Sequence, residues 1–344
     1  MFYPKAQRGL SIVKFLVFAA LAGALLLASA WWWVRQPLAL PAGVSSVDIV
    51  VPQGTSVRAV AQAVVDAGVG APPNALYWYF RASGKSAGLK AGSYELLAGD
   101  TPQILLAKLF EGRQSLRNVT IVEGWNIRQV RAALAKADQL KPSSQALSAA
   151  ELMAALGKPG QHPEGRFYPD TYSYAKGSSD LAVLQLAAKA MDKQLATIWE
   201  ARASDLPLKT ADEALILASI IEKETGAASD RPQIGGVFAN RLRIGMRLQT
   251  DPTVIYGMST AKGEDFGGNI RKSDLQTDTP YNTYTRAGLP PTPIAMPGKA
   301  ALLAAVQPAS TAALYFAARG DGSSEFSATL DAHNRAVNKY IRGQ

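Results

Sequence analysis

The 344-residue chain contains no cysteine and only two histidines, His162 and His333. Without cysteine it has no disulfide, no thiolate nucleophile and no zinc site built on thiolates. The scarcity of histidine and the lack of an H-E-x-x-H motif disfavour metal-dependent hydrolysis and a histidine-based catalytic triad. Any acid–base chemistry is therefore expected to depend on carboxyl groups, and no cofactor or metal is predicted.

Charge is also sparse, with 18% charged against 48% hydrophobic residues, a balance that excludes a mainly disordered protein. No acidic residue precedes Asp48, and the net charge is +9. This positive charge is diffuse, and the chain has neither an arginine-rich helix nor interleaved basic and aromatic residues. Nucleic-acid binding is not expected, whereas an anionic membrane or wall polymer suits the charge.

Residues 15–34 form an uncharged and mainly apolar run near the N-terminus. At about 1.5 Å per residue such a run spans roughly 30 Å, the thickness of a bilayer core. Basic residues precede it, and Trp31–Trp33 near its end are typical of a membrane interface. We therefore predict a cytoplasmic tail (1–14) and a transmembrane helix, with the rest of the chain exported. A signal peptide cleaved after Ala30 is the alternative.

A linker at 35–45 is followed by strand, turn and helix units. Val47–Val51 alternates as a strand and leads to a helix that ends near Ala67. Similar units recur up to about residue 137, with a helix predicted at Pro102–Phe110 and a strand at Val119–Val122. The segment 46–115 resembles LysM-type glycan-binding modules in its plan, and a plain spacer domain is the alternative. The predicted fold class is α+β, with a larger catalytic domain at 116–344.

The segment 162–174 is rich in aromatic residues and contains the turn-forming pair Pro169 and Asp170. It predicts an ordered loop rather than a flexible linker. Its rings are expected either to fill a core, which is the commoner use, or to stack on sugars.

Residues 211–224 predict a helix that is apolar almost all round, as buried helices are. At about 100° per residue, Glu224 lies within roughly 20° of Leu217, whereas Glu222 sits over the Ser219 side of the helix. A carboxyl group held against apolar side chains has a raised pKa and becomes a proton donor near neutral pH. The alternative is a solvated helix end.

Five short segments carry a resemblance to a known family. Their order and spacing look like the motif series of the MltG (YceG-like) endolytic murein transglycosylases, and the segment at 164–172 is similar to that family too. Each motif alone would be a weak signal, but five in order are specific. The segments are Glu222–Thr225, Phe238–Leu242, Leu248–Pro252, Tyr281–Tyr284 and Gly288–Pro291.

The resemblance implies cleavage of the β-1,4 bond between N-acetylmuramic acid and N-acetylglucosamine inside peptidoglycan strands, with a 1,6-anhydro end left behind. The family's acid maps onto Glu224, which the helical-face argument also selects. An ordinary hydrolase would need a second carboxylate, for which Asp251 is the nearby candidate. A non-catalytic, membrane-tethered glycan-binding scaffold is the other alternative.

The residues expected to form the wall of the cleft carry hydrogen-bonding groups and rings suited to sugars. A purely structural role for the Tyr281–Tyr284 segment is equally open. The implied partners are peptidoglycan strands, the bacterial inner membrane as anchor and peptidoglycan synthases, with the bulk of the chain in the periplasm. The predicted substrate-binding residues are Gln249, Thr250, Asp251, Tyr281, Asn282 and Tyr284.

Overall fold

The computed structural model describes residues 6–224, 227–267 and 269–343, with side chains from residue 13 onward. The first five residues of the predicted cytoplasmic tail lie outside the described residues. So do Thr225 of the first motif and Gly226, where the helix of that motif is predicted to end. The chain divides into two compact units, residues 1–117 and 118–344.

In its described residues the first unit contains two strands that pair, four α-helices and a short 3₁₀ helix at Ser86–Gly88. The strands are antiparallel, and the pairing runs from Ser46 opposite Leu97 to Val51 opposite Gly92. Ser56 caps the second helix by accepting a hydrogen bond from the Ala59 N–H at 3.3 Å. In chain order the elements are α1 (Ala6–Trp33), β1 (Ser46–Val51), α2 (Val57–Asp66), α3 (Pro73–Ala82), β2 (Gly92–Leu97) and α4 (Pro102–Glu111).

Helix α1 includes an apolar span, Val13–Trp33, of 21 residues with a mean hydropathy of 2.2. In the most apolar part of this span, no residue is buried inside the protein. By length and composition, the N-terminal helix is able to cross a membrane.

The second unit is mainly helical and has two small sheets, β3 with β4 and β5 with β6. Together with the first unit this makes a mixed α+β protein, as the sequence predicts in outline. The remaining elements are β3 (Leu116–Thr120), α5 (Ile127–Lys136), α6 (Ala149–Ala155), β4 (Thr171–Ala175), α7 (Asp180–Glu200), α8 (Ala211–Glu224), α9 (Arg231–Arg243), α10 (Asp251–Lys262), α11 (Lys299–Val306), β5 (Tyr315–Ala318), β6 (Ser324–Ser327) and α12 (Leu330–Val337).

Helix α8 is the central helix of the second unit's largest hydrophobic core. Thr210 caps its start by accepting a hydrogen bond from the Glu213 N–H at 3.1 Å. Leu217 and Ile221 are 0% exposed, and α8 packs on α11 and α9. A helix with apolar side chains on nearly every face requires neighbours on several sides, and these helices provide them.

Two glycines allow helix α9 to approach the chain around α11 closely. A Cβ added at Gly235 would lie 2.3 Å from the Ala304 carbonyl oxygen, and one at Gly236 would lie 2.6 Å from the Ala309 carbonyl oxygen. Both contacts are far shorter than van der Waals distance, so a side chain at either glycine would push α9 away. This packing places the residues of α9 beside the end of α8.

The aromatic segment at 162–174 differs from the predicted loop at its end, where β4 forms. Tyr172 and Tyr174 alternate as buried residues of that strand, and Phe167 is 0% exposed. Their rings belong to a hydrophobic cluster with α5, α6 and α7. These three rings therefore fill a core, which is the commoner of the two uses considered for this segment.

Candidate active site

Helix α8 ends at Glu224, whose side chain is partly buried at a cleft in the second unit. The Thr250 hydroxyl donates a hydrogen bond to Glu224 Oε1. Burial raises the pKa of Glu224 from 4.5 to about 7, and the nearby Asp251 charge also raises it. The Thr250 hydrogen bond and the Arg241 charge act in the opposite direction. A carboxyl group with this pKa is protonated in a large share of molecules near neutral pH.

The residues before helix α10 are held in a fixed conformation beside Glu224. Gln249 has a φ of +49°, an uncommon conformation for a residue other than glycine. Its N–H donates to the Thr283 carbonyl at 3.2 Å, and the Thr250 N–H donates to Thr283 Oγ1 at 3.0 Å. Pro252 stands in the first turn of α10, where its missing N–H costs nothing.

A cleft of about 400 Å³ opens at this point, and we call it the Glu224 cleft. A cleft of this size is within the range of small-molecule sites. Of the predicted substrate-binding residues, Gln249, Asp251 and Tyr284 line it together with Glu224. The Tyr284 hydroxyl donates to Asp251 Oδ1 at 2.5 Å, which orients the carboxylate.

The other predicted substrate-binding residues are placed differently. Thr250 is buried and reaches Glu224 rather than the cleft surface. Asn282 is 0% exposed, and its amide donates to the carbonyls of Leu275 and Thr277 at 3.0 and 2.7 Å. The Tyr281 hydroxyl is hydrogen-bonded to that of Thr292, 2.9 Å away. Direct contact of these three with substrate stays a prediction, and their contacts shape the loop that carries Tyr284.

Five residues that sequence reasoning did not select also line the Glu224 cleft, and three of them carry polar groups. They are Arg241, Tyr315 and His333, with the apolar Phe316 and Leu330. Arg241 is 7% exposed and donates to the carbonyls of Leu314 and Leu248 at 2.7 and 2.6 Å. The His333 ring stacks on Tyr315 with 5.3 Å between centroids. In the sequence, Arg241 could have been selected from its position inside the motif Phe238–Leu242.

Burial shapes the electrostatics of this added wall. It lowers the pKa of the Arg241 guanidinium, while neighbouring phenols and Glu224 oppose that change. Burial also lowers the pKa of His333, and the Arg241 charge adds to the effect. The lining of the cleft therefore combines the Arg241 guanidinium and the His333 imidazole with the carboxyl groups of Glu224 and Asp251.

Glu222 is not on a solvated side of helix α8. Its side chain is 6% exposed, and its Oε1 lies 3.2 Å from Nη2 of Arg231. Its Oε2 accepts a hydrogen bond from the Gly298 N–H at 2.9 Å. The two glutamates therefore differ in their partners more than in their burial, since Glu222 has a cation and Glu224 has a hydroxyl.

A second carboxyl group with a raised pKa lies outside the cleft. Glu164 is 1% exposed and accepts hydrogen bonds from the Ile127 N–H, at 3.0 Å, and the Tyr256 hydroxyl, at 2.9 Å. Burial raises its pKa to about 7 despite these bonds. Tyr256 belongs to helix α10 and packs edge-on against Tyr281, with 4.8 Å between the ring centroids. By bonding Tyr256, Glu164 supports α10, whose first residue, Asp251, lines the cleft. Apart from the position of Glu164 in the segment 164–172, nothing in the sequence indicated that this residue is buried.

Among the residues that the structure describes, no group of three or more His, Asp or Glu side chains is placed to hold a metal ion. The groups in the Glu224 cleft able to move a proton are carboxyl, phenol and imidazole groups.

The sequence model of the YceG-like family matches residues 49–339, which is most of the chain. The chain belongs to the YceG-like family. Both the Glu224 cleft and the residues around Glu164 lie inside the matched range, so they belong to the part that the family shares.

Two relatives of this chain carry the name endolytic murein transglycosylase. The one from Bacillus subtilis (strain 168) is 33% identical over 318 residues, which covers 86% of this chain and 85% of the relative. The one from Streptococcus pneumoniae (strain D39) is 28% identical over 374 aligned positions, which covers 97% of this chain and 65% of the relative.

A solved structure supports the same YceG-like assignment. A crystal structure described as a putative YceG-like protein from Listeria monocytogenes superimposes with a TM-score of 0.53 at 30% sequence identity. The match covers 84% of this chain and 98% of that chain. Sequence and fold therefore agree on the family.

Proposed function

We propose that this chain is an endolytic murein transglycosylase and that Glu224 is its catalytic acid. The observation that carries the proposal is the buried position of the Glu224 carboxyl group at an open cleft, which raises its pKa to about 7. The names of the relatives in Bacillus subtilis and Streptococcus pneumoniae support the reaction class. The substrate would be the glycan strand of peptidoglycan, cut at the bond between N-acetylmuramic acid and N-acetylglucosamine.

In the proposed mechanism a single carboxyl group acts twice. Glu224 first donates its proton to the bridging oxygen, the bond from C1 of the muramic acid to that oxygen breaks, and the glucosamine leaves with a hydroxyl. The Glu224 carboxylate then takes the proton of the C6 hydroxyl of the same muramic acid, whose oxygen bonds to C1. The 1,6-anhydro ring closes, no water is consumed, and Glu224 regains its proton.

The walls of the Glu224 cleft supply the groups that such a substrate needs. Asp251, oriented by Tyr284, is positioned to accept hydrogen bonds from sugar hydroxyl groups. Gln249 is exposed at the cleft and offers an amide for the acetamido groups. Tyr315 and the His333 ring stacked on it add an aromatic surface to the cleft wall for contact with a sugar.

Mass spectrometry of the products released from purified peptidoglycan tests this proposal. We expect muropeptides with 1,6-anhydro ends from the interior of strands. Reducing ends in their place would indicate a hydrolase that uses Asp251 with Glu224. Retention of uncut strands without any product would indicate a glycan-binding scaffold instead.

We further propose that α1 is a single-pass anchor in the inner membrane, with the bulk of the chain in the periplasm. The apolar span Val13–Trp33 and the tryptophans at its end support this. We propose as well that residues 46–115 form a LysM-like module, and the order strand, two helices, strand in residues 46–97 supports this. Protease added to spheroplasts should digest the part of the chain that follows α1, and full protection of that part would contradict the orientation.

A further inference from the structure

A second cavity, of about 360 Å³, is lined by chain neighbours of residues that line the Glu224 cleft, and we call it the Lys223 cavity. Helix α8 contributes Glu224 to the cleft and the preceding residue Lys223 to the cavity. Helix α10 contributes Asp251 to the cleft and the following residue Pro252 to the cavity. Consecutive residues of both helices thus line the two spaces, so a branch of a ligand held at Glu224 has only about one residue of helix to cross to reach the Lys223 cavity.

The polar lining of the Lys223 cavity is rich in hydrogen-bond donors. Lys223 is exposed, and its ammonium donates to the Gly124 carbonyl at 3.3 Å, which leaves further N–H groups available. Asn126 and Gln129 form the capping box of helix α5, in which each side-chain oxygen accepts a main-chain N–H. Their NH₂ groups are not used by that box, so both remain donors at the cavity.

The remaining lining is mostly apolar, with one carboxylate whose charge is neutralised. Ile255 is 36% exposed, and Pro252 and Phe266 lie beside it in the lining. Asp265 also lines the cavity, but it forms an ion pair with Arg128. A ligand that fits this surface carries carboxylate and carbonyl acceptors together with small apolar groups.

We propose that the Lys223 cavity binds the acidic peptide that the lactyl group of muramic acid carries in peptidoglycan. This inference rests on the proposed function, since it takes the muramic acid to be the sugar whose C1 lies at Glu224. The peptide combines carboxylates and amide carbonyls with alanine methyl groups, which match the donors and the apolar lining. The cavity makes the enzyme selective for strands that still carry their peptides.

The test compares cleavage of two substrates by the full chain in detergent: strands with their peptides and strands from which an amidase has removed them. Wild type should show a higher kcat/KM on the peptide-bearing strands. In Lys223→Ala this ratio of kcat/KM values should fall about tenfold, the effect typical of one lost charge-assisted hydrogen bond. Lys223→Glu should lower it further, because the new charge repels the peptide carboxylates.

Lys209→Ala is the matched control, since Lys209 is an exposed lysine just before the other end of helix α8. It should keep the wild-type ratio. A wild-type ratio of one, or an equal loss on both substrates in Lys223→Ala, overturns the inference and leaves the proposed function standing.

Calorimetric binding of N-acetylmuramoyl tripeptide, with N-acetylmuramic acid as reference, separates the two proposals further. Tighter binding of the tripeptide that is weakened in Lys223→Ala supports the peptide site. If strands with peptides and strands without peptides are both left uncut, the proposed function fails. The binding measurement then still decides whether the Lys223 cavity binds the peptide. Equal binding of the two ligands by wild type overturns it.

Discussion

Glu222 and Arg231 form a buried ion pair at the base of the candidate active site, with 3.2 Å between Oε1 and Nη2. The other oxygen of Glu222 accepts the Gly298 N–H at 2.9 Å. One carboxylate therefore joins the end of α8 to the start of α9 and to the residue before α11. This contact lies two residues before Glu224, so it fixes the helix end from which Glu224 projects.

Glu222→Gln should destabilise the fold rather than remove the chemistry. The neutral amide keeps the shape but leaves the Arg231 charge buried without its partner, and we expect the free energy of unfolding to fall by about 2–4 kcal/mol. Urea denaturation measures this loss. Activity per folded molecule should stay within a few-fold of wild type. Full stability with lost activity would instead identify Glu222 as a group that acts on the substrate.

Glu224→Gln should have the opposite profile. The amide still accepts the Thr250 hydrogen bond but cannot deliver a proton, so cleavage should fall by roughly 10²–10⁴-fold. Folding should survive, because a neutral amide is as easily buried as a protonated acid. Release of soluble muropeptides measures the rate, with Glu222→Gln as the control at equal amounts of folded protein. An active Glu224→Gln would refute the assignment of the acid.

The activity should depend on pH through the raised pKa of Glu224, near 7. The first step needs the protonated acid, so kcat/KM should decrease as pH rises through 7. Stability also decreases as pH rises, because the pKa of Glu224 in the folded protein lies above its unfolded value of 4.5. The contribution of Glu224 is fully present below pH 4.5 and is lost as pH rises through 7. Glu224→Gln should abolish the loss of stability that Glu224 causes as pH rises through 7. A pH–stability profile unchanged by this substitution would contradict the raised pKa of Glu224.

Glu164→Gln tests the carboxyl group that supports helix α10. Glutamine has one acceptor oxygen where the carboxylate offers two to the Ile127 N–H and the Tyr256 hydroxyl. We expect a loss of about 1–3 kcal/mol in the free energy of unfolding and a few-fold lower kcat. Tyr256→Phe removes one hydroxyl only and should have a smaller effect. A 10²-fold loss of kcat at full stability would show that Glu164 acts on the substrate.

Deletion of residues 1–35 should give a soluble protein that still cuts glycan, since it removes the apolar span Val13–Trp33 and none of the residues that line the Glu224 cleft. Sedimentation without detergent checks solubility, and muropeptide release checks activity. A folded but inactive truncation would mean that the membrane segment contributes to the site.

Much of the secondary structure follows from local patterns. The predicted strand at Val47–Val51 and the predicted helix at Pro102–Phe110 each agree with the structure to within one residue at either end. The predicted strand at 119–122 lies at 116–120 instead. Alternation and capping act between residues close in the chain, so a sequence displays them directly. Strand limits also depend on a partner strand, which here is β4.

The sequence by itself determined that helix α8 is buried and that Glu224 continues its apolar stripe, because helical periodicity alone places Glu224 over Leu217 and Ile221. Only the tertiary structure decided what each acid meets. It brings Arg231 to Glu222, Thr250 and Arg241 to Glu224, and Tyr256 to Glu164. A carboxyl group's pKa and role depend on such partners, which come from distant parts of the chain and are set by how the helices pack.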